Sequence, residues 1–333
     1  MKKLLLILLC VPLIGFGQQT YVPDDNFEQY LINQGYDNVL DDYVTTANIN
    51  TVTNLNLGYQ NISDLTGIED FTYLSYLACE YNQLTSLDVT QNTALTHLEC
   101  YENSLTSLYV SSATSLSYFN CTSNQLTSLD VSNNTALTNL YCGLNQLTSL
   151  DLSKNTALTY FSCVFNLLTS LDVTQNTALT NLYCILNQLT SLDLSKNTAL
   201  THLECYENSL TSLDLTQNSN LIEMNCGDNQ LTSLNIRNGN NNNLTYFSCD
   251  DNFSLYCINV DDASFSSANW TNIDPQSYFS NNCSGTTDIE VHTINKELIK
   301  ITDIFGREVN EKRNNLLFYL YEDGTVEKKI IIE

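Results

Sequence analysis

The sequence predicts an all-β-dominated solenoid, closed at its start by a short capping helix and followed by a small C-terminal β domain. Three observations predict it. From Leu74 to Cys249 one phrase, LTSLDVTQNTALTHLECYENS at residues 84–104, recurs with small changes, and Cys79, Cys100, Cys121, Cys142, Cys163, Cys184, Cys205 and Cys226 fall 21 residues apart. A fixed period means a stacked array, because one unit of this size cannot bury its apolar face alone. The apolar frame around each cysteine is constant, as in Leu95, Leu98, Cys100, Asn103, Leu105, then Leu108 and Val110. Finally, Leu84, Leu87, Val89 and Asn92 repeat the spacing of Leu95, Leu98, Cys100 and Asn103, so each unit is two halves of 11 and 10 residues. Such halves are too short for an ordinary helix plus two turns. The expectation is a short strand around the cysteine, a turn at the asparagine, a second extended stretch through Leu-Asp-Val and a turn at Asn-Thr-Ala.

The frame LxxLxCxxNxL resembles the leucine-rich repeat, with cysteine where many members carry another leucine. Stacked turns then sit roughly 4.8 Å apart, and ten of them make a rod on the order of 45–50 Å. Leucine, valine and cysteine point inward, each buried aliphatic side chain contributing about 1.5–3 kcal/mol. The column Asn82, Asn103, Asn124, Asn145, Asn166, Asn187, Asn208 and Asn229 has another task. An amide donates and accepts at once, so stacked copies satisfy turn groups that would otherwise be buried unpaired.

Residues 1–17 read as an export signal, with Lys2 and Lys3 before the apolar run Leu4 to Phe16. The run is too short to span a bilayer, and no later stretch qualifies. A lipoprotein reading of Cys10 is the alternative, against which Leu9 stands where a small residue is wanted. An N-terminal cap follows over residues 18–51. In it Asp24 or Asp25 caps a helix, Phe27, Tyr30 and Leu31 share one helical face, and Gly35 stops it. The array proper covers 52–253 and opens on an atypical unit with Gln60 in the asparagine position.

Twelve basic against 37 acidic residues leave the chain at −25, and only Lys154, Lys196 and Arg237 are basic between residues 21 and 285. Phosphate contacts need clustered Lys and Arg, which argues against nucleic acid as a partner. Function in an array belongs to the side chains pointing out from the cysteine-bearing strand. There, Tyr141, Leu144, Tyr160, Val164, Phe165, Leu167, Tyr183, Ile185 and Leu186 form one apolar and aromatic group. Glu99 and Glu102 lie to one side of it and Glu204 and Glu207 to the other. It is either a contact face for a protein or glycan or a neutral filling of duplicated units, since THLECYENSLTSL occurs at 96–108 and again at 201–213.

Catalysis finds little support. His97 and His202 lie in identical surroundings five turns apart, roughly 24 Å, and no HExxH, GxSxG or phosphate loop is present. Cysteines one per turn form a line and do not converge as zinc ligands do, so they read as small buried apolar residues. The acidic column Asp88, Asp130, Asp151, Asp172, Asp193 and Asp214, with Glu223, Asp228, Asp250 and Asp251 near the end, reads as a solvated face. Calcium is the alternative for these oxygens, and no other cofactor is implied.

The period breaks at RNGNNNNLTYFSCDD, where an insertion is expected to loop out. Residues 254–285 follow, with a Cys-Ile-x-Val-Asp strand, the pair Asn269-Trp270 and a closing cysteine. They resemble the end cap of secreted leucine-rich proteins from Bacteroidetes-type bacteria. Trp270 covers the last turn's core, and Cys257 pairs with Cys283, both lying outside the ladder in an exported chain. From 286 to 333 the composition changes, with seven of the 12 basic residues after residue 285 and two alternating blocks. This tail resembles the C-terminal sorting domain of the type IX secretion system. The residues that carry the likeness include Gly306 and Arg307 in the first block and Asp323, Gly324, Lys328 and Lys329 in the last. The resemblance implies export, tail removal, and release or attachment at the outer-membrane surface. The expected function is surface recognition or adhesion without catalysis; a spacer whose array only holds distance is the alternative, and a hydrolase a remote third.

Overall fold

The computed structural model describes residues 17–283, 298–302, 307–309, 316–321 and 326–330. Residues 1–16, read from the sequence as part of an export signal, lie outside them, as do Gly306, Asp323 and Gly324 of the tail. Two compact units divide the chain, Met1–Cys283 and Ser284–Glu333.

In the first unit, ten three-residue strands from Asn54–Asn56 to Tyr246–Ser248 form one parallel sheet. Successive strands pair in phase, Tyr160 lying opposite Asn139 on one side and Asn181 on the other. Alternation along each strand decides what is buried. Phe161 and Cys163 have no exposed surface, while Tyr160 and Ser162 between them reach the outside. The nine ladder cysteines are all buried free thiols, and burial pushes Cys142 and Cys184 up to about 12. They are therefore unreactive packing groups, since the thiolate is the nucleophile.

At the corner after each cysteine the chain turns through a left-handed residue. Tyr81, Glu102, Ser123, Leu144, Phe165, Leu186, Glu207, Asp228 and Asp251 all have φ between 48° and 57°. For non-glycine residues this costs about 1–3 kcal/mol each, and the asparagine that follows holds it. Asn145 Nδ2 donates to Cys121 O of the previous turn at 3.0 Å and to Cys142 O and Gly143 O of its own at 3.2 and 3.0 Å, while its Oδ1 accepts the Leu126 amide at 3.0 Å. The carbonyl of Cys142 is in turn bracketed by Asn145 and, from the next turn, Asn166. The ladder is thus continuous, and each amide is used from both ends.

A second ladder occupies the opposite corner. Asn92, Asn134, Asn155, Asn176, Asn197 and Asn218 are fully buried. Each donates to two carbonyls, as Asn155 does to Val131 O and Asn134 O at 3.0 Å, but the Oδ1 atoms have no partner. Hydroxyls make a third stitch just before the strands, Thr138 Oγ1 donating to Ser117 O at 3.0 Å and Thr159 Oγ1 to Thr138 O at 3.1 Å. The Leu-Asp-Val face is strand only toward the ends of the array, Ser86–Asp88 with Ser107–Tyr109 and Ser212–Asp214 with Ser233–Asn235. In the middle turns this face is not paired into strands, and a depression of about 570 Å³ opens on it between Leu192–Lys196 and Ser212–Gln217.

Both ends are covered. The helix Asp25–Asn33 is capped by Asp24, whose Oδ1 accepts the amides of Asn26 and Phe27 at 3.0 Å, and Gly35 leaves it at φ 80°. Asp24 Oδ2 reaches across to the Ser63 amide at 2.8 Å and so ties the cap to the first repeat. At the far end a helix not expected from the sequence, Ala263–Asn269, delivers Trp270, which stacks on Phe247 of the last turn at 4.6 Å. The disulfide Cys257–Cys283 closes this cap and contributes about 3 kcal/mol for a loop of this size. The asparagine-rich insertion does not simply loop out. Asn241 is buried and donates back to Ile236 O at 2.7 Å, and Asn238 extends the second ladder by donating to Asn218 O at 3.0 Å.

The second unit contains an antiparallel sheet of Leu298–Thr302, Leu316–Tyr321 and Val326–Ile330. Leu317 and Tyr319 are buried in it, Lys328 and Lys329 stand in its last strand, and Arg307 lies beside the Glu308 bridge to Thr302.

The two ladders respond differently to truncation. Asn145→Ala strands the buried Leu126 amide, although the three carbonyls it served keep a partner, and should lower stability in urea by about 2–3 kcal/mol, whereas Asn155→Ala strands no group, only removing donors from carbonyls that keep another partner, and should cost about 1 kcal/mol. Equal losses in the two variants would show that the ladders are not distinguished by their bonding.

Candidate functional site

The exposed face of the ten-stranded sheet carries one unbroken line of rings. Tyr76 stacks on His97 at 4.6 Å and His97 on Tyr118 at 4.2 Å, the latter pair only 5° from parallel. Tyr118, Tyr141, Tyr160 and Tyr183 continue it at 5.4, 4.8 and 5.3 Å in tilted contacts. The line exists because strands pair in phase. Residues 21 apart become neighbours in one column, and Tyr141 and Tyr183, from the other outward column, fill the places where Asn139 and Asn181 interrupt the first. Six strands at strand spacing give it a length of roughly 24 Å. Ring contacts of this kind are worth about 0.5–1.5 kcal/mol apiece beyond burial, so the line is stiff.

Of the residues expected in the contact group, Tyr141, Tyr160 and Tyr183 lie in this line. Val164 and Ile185 sit one place past the cysteines at the edge of the face. Val164 rides over Gly143, where a side chain would meet its Cγ2 at 2.8 Å. Leu144, Phe165 and Leu186 occupy the left-handed corner, with Phe165 53% exposed, and Leu167 lies beyond the ladder asparagine. The expected group is therefore part of the sheet face together with a ridge along its edge. Tyr76, His97 and Tyr118 extend it further than the sequence reading placed it. A second ring cluster stands at the same edge near the start, Tyr59 stacked on Tyr81 at 4.3 Å and Tyr81 edge-on to Tyr101 at 5.4 Å.

Acids stand at both ends of the line. Glu99 Oε1 is 2.8 Å from His97 Nε2 and accepts the Tyr76 hydroxyl at 3.4 Å. Toward the other end an open depression of about 390 Å³ is lined by Tyr206, Glu207, Asp228, Tyr246, Asp250 and Asp251. Burial, then Glu223, raises Glu204, with His202 opposing. The Asp88 to Asp214 column of the other face has a local structural task. Asp88, Asp130, Asp151, Asp172, Asp193 and Asp214 each accept the amide two residues on at 2.8–3.0 Å, closing their own turns.

With this geometry in view, comparison with known proteins is informative. The functional domain of InlJ from Listeria monocytogenes, a structure described as including a cysteine ladder, is 32% identical to the chain. The match covers 79% of this chain and 70% of that one, with a TM-score of 0.55. The chain belongs to the internalin-like leucine-rich repeat family. Internalin J from Listeria monocytogenes serotype 4b (strain F2365) is 37% identical over 73 residues, which are 22% of this chain and 8% of that protein. Internalin C2 from Listeria monocytogenes strain 4b F2365 shares the fold at 23% identity and a TM-score of 0.53 over 62% of this chain and 96% of its own. No family model matches.

Within this internalin-like array the two histidines are not in identical surroundings, despite their identical segments. His97 is sandwiched between Tyr76 and Tyr118, whereas His202 Nδ1 is 2.8 Å from Thr201 Oγ1 and its Nε2 is 4.0 Å from Glu223. What surrounds a side chain on this sheet comes from the turns before and after it, and those differ. No helix among the described residues is long and apolar enough to cross a membrane.

The phenols of the face are perturbed. Burial, then the Tyr141 phenol and Glu99, pushes Tyr118 up to about 12, and burial, then Glu80 and Glu99, does the same to Tyr101. Burial and the Tyr183 phenol also raise Tyr160. These groups favour the neutral form in the fold, so their contribution is complete below the unfolded value of about 10 and is lost as pH rises toward 12. Absorbance titration of the internalin-like chain should show a set of tyrosines ionising only near pH 12 that returns to about pH 10 in urea. A single native transition at 10 would contradict the packing described.

Proposed function

We propose that the chain is an exported surface recognition or adhesion protein that engages a protein partner along the sheet face, without catalysis. The observation that carries this is the continuous line Tyr76, His97, Tyr118, Tyr141, Tyr160 and Tyr183, bordered by an apolar ridge and by acids. Solenoids of this kind use the extended face of their sheet for binding, and rigid aromatic groups concentrate binding energy at interfaces. A protein partner fits better than a glycan. The ring faces of His97 and Tyr118 are covered by one another at 4.2 Å, so the line offers edges and hydroxyls where sugar stacking needs an open face. With Glu99 and Glu102 toward one end, Glu204 and Glu207 toward the other and a charge of −25, the partner's complementary surface carries apolar groups and Lys or Arg.

The test is capture of cell-surface proteins by the full chain, followed by affinity measurement of each captured protein with Tyr160→Ala and Phe165→Asp. Phe165→Asp, at an exposed corner, should leave thermal stability near wild type, and Tyr160→Ala, which gives up ring contacts to Tyr141 and Tyr183, should cost about 1–3 kcal/mol; each should weaken binding at least tenfold under conditions where it is fully folded. Unchanged affinity in both would remove the face from the site and favour the spacer reading.

The route of export belongs to the same proposal. The basic residues Arg307, Lys328 and Lys329 on a C-terminal β unit, together with the likeness of the tail to type IX sorting domains, support surface delivery through that system. In a bacterium carrying it, deletion of residues 296–333 should retain the protein in the periplasm, read by fractionation. Undiminished surface display of the deletion would reject the sorting role.

A further inference from the structure

We propose that the start of the sheet face holds a socket for one basic side chain, lysine or arginine, of the protein partner, formed by Tyr59, Tyr76, Glu80, Tyr81, Glu99 and Tyr101. The inference rests on the reading of this face as a protein-binding surface and assigns one of its contacts. In-phase stacking of the coils assembles the group. Tyr59 and Tyr81 are the corner residues of two successive coils, at φ 58° and 52°, and their rings stack at 4.3 Å and 12° from parallel. Tyr101, one coil further on, meets Tyr81 edge-on at 5.4 Å. Tyr76 and Glu99 come from the neighbouring strands of the sheet, the Tyr76 hydroxyl donating to Glu99 Oε1 at 3.4 Å.

Glu80 gives the group its demand for a cation. It leans back over Gly58 of the coil before, where a β-carbon would meet its carboxyl carbon at 2.9 Å. Its Oε2 is buried without a hydrogen-bond partner. After burial, Glu99 and Glu80 raise the Tyr76 phenol, and Glu80 and Glu99 raise that of Tyr101, so both carboxylates bear on both rings. An acceptor oxygen withdrawn from water with nothing to accept is best met by an N–H donor that carries positive charge. Between residues 21 and 285 the chain's own basic side chains are Lys154, Lys196 and Arg237 alone, all further along the array.

The spacing of the acids and the presence of rings select the kind of cation. No three of Glu80, His97, Glu99 and Glu102 bring ligating atoms within 4.8 Å of one another, whereas a metal ion gathers its oxygens around one centre at about 2.0–2.6 Å. Separated carboxylates among tyrosines match an extended organic cation instead. Its alkyl stem lies along the rings while its charged head is held by their faces and donates to the acids. A quaternary ammonium would suit the rings equally but offers Glu80 no hydrogen, so the unpaired oxygen favours the basic side chain of a protein.

The experiment is an NMR titration of the full chain, its tyrosine rings isotopically labelled, with N-acetyl-lysinamide and N-acetyl-argininamide at constant ionic strength. N-acetyl-norleucinamide and choline serve as the neutral and quaternary comparisons. At least one basic probe should shift the Tyr59, Tyr81 and Tyr101 ring resonances saturably and bind at least fivefold more tightly than either comparison. Glu80→Gln, which keeps the shape and removes the charge, and Tyr59→Ala, at a ring 66% exposed, should each weaken that binding at least fivefold in chains shown to be folded at the titration temperature. Asp172→Asn, an equal loss of charge on the opposite face, should leave it unchanged. The socket is overturned if no basic probe moves these rings, if choline or the neutral probe binds as tightly, or if Glu80→Gln or Tyr59→Ala binds as wild type does. The probes require no captured partner, so such a failure, with Tyr160 and Phe165 still needed for partner binding, removes this contact alone and leaves the reading of the face in place.

Discussion

Each coil of this protein must turn a corner inside the molecule, and the backbone groups exposed by that turn have no access to water. The asparagine after the left-handed residue resolves this constraint, and the rest of the solenoid depends on it. Its amide reaches the carbonyl of the previous cysteine and two carbonyls of its own corner while its oxygen takes an amide from the coil before. No other side chain of that length both donates twice and accepts. Because the bonds run between coils as well as within them, they set the distance from one turn to the next and hold the sheet in register.

The cysteines follow from the same corner. The position after the strand is fully enclosed and lies against the ladder amides, so it takes a small side chain that packs as an apolar group. With leucine at the strand centre and cysteine at its end, the interior is the same in every coil, and the outward positions carry no structural obligation. The aromatic line exploits that freedom. The opposite face differs. In the middle coils its stretches are not hydrogen-bonded into strands, and aspartates close the turns one coil at a time. One side of the array is therefore zipped and stiff, and the other is held by asparagine and packing.

Much of this is legible in the primary structure because period, inward residues and the first asparagine column repeat without a break. The capping helix and the pairing of Cys257 with Cys283 were readable too, and the structure contains both. What was not readable has physical causes. Asn92 and its copies lie in plain view as a repeat, yet only the folded chain shows them fully buried and bonded through one end of the amide. The helix Ala263–Asn269 is rich in serine and short, so neither propensity nor periodicity announces it. The line from Tyr76 to Tyr183 zigzags between two outward columns, and a reading that follows one column at a time breaks it at Asn139 and Asn181.

His97 and His202 illustrate what such an architecture does to inheritance. They sit in the same thirteen-letter word, residues 96–108 and 201–213, yet one is filed between two tyrosines and bonded to its own Glu99, while the other faces Glu223 of the next coil. Chemistry on this scaffold is written across lines of text, not along them. When a coil is copied and pasted elsewhere in the array, its interior is transplanted intact while its outward vocabulary is rewritten by the new neighbours, so lengthening the protein and diversifying its surface are one and the same genetic event.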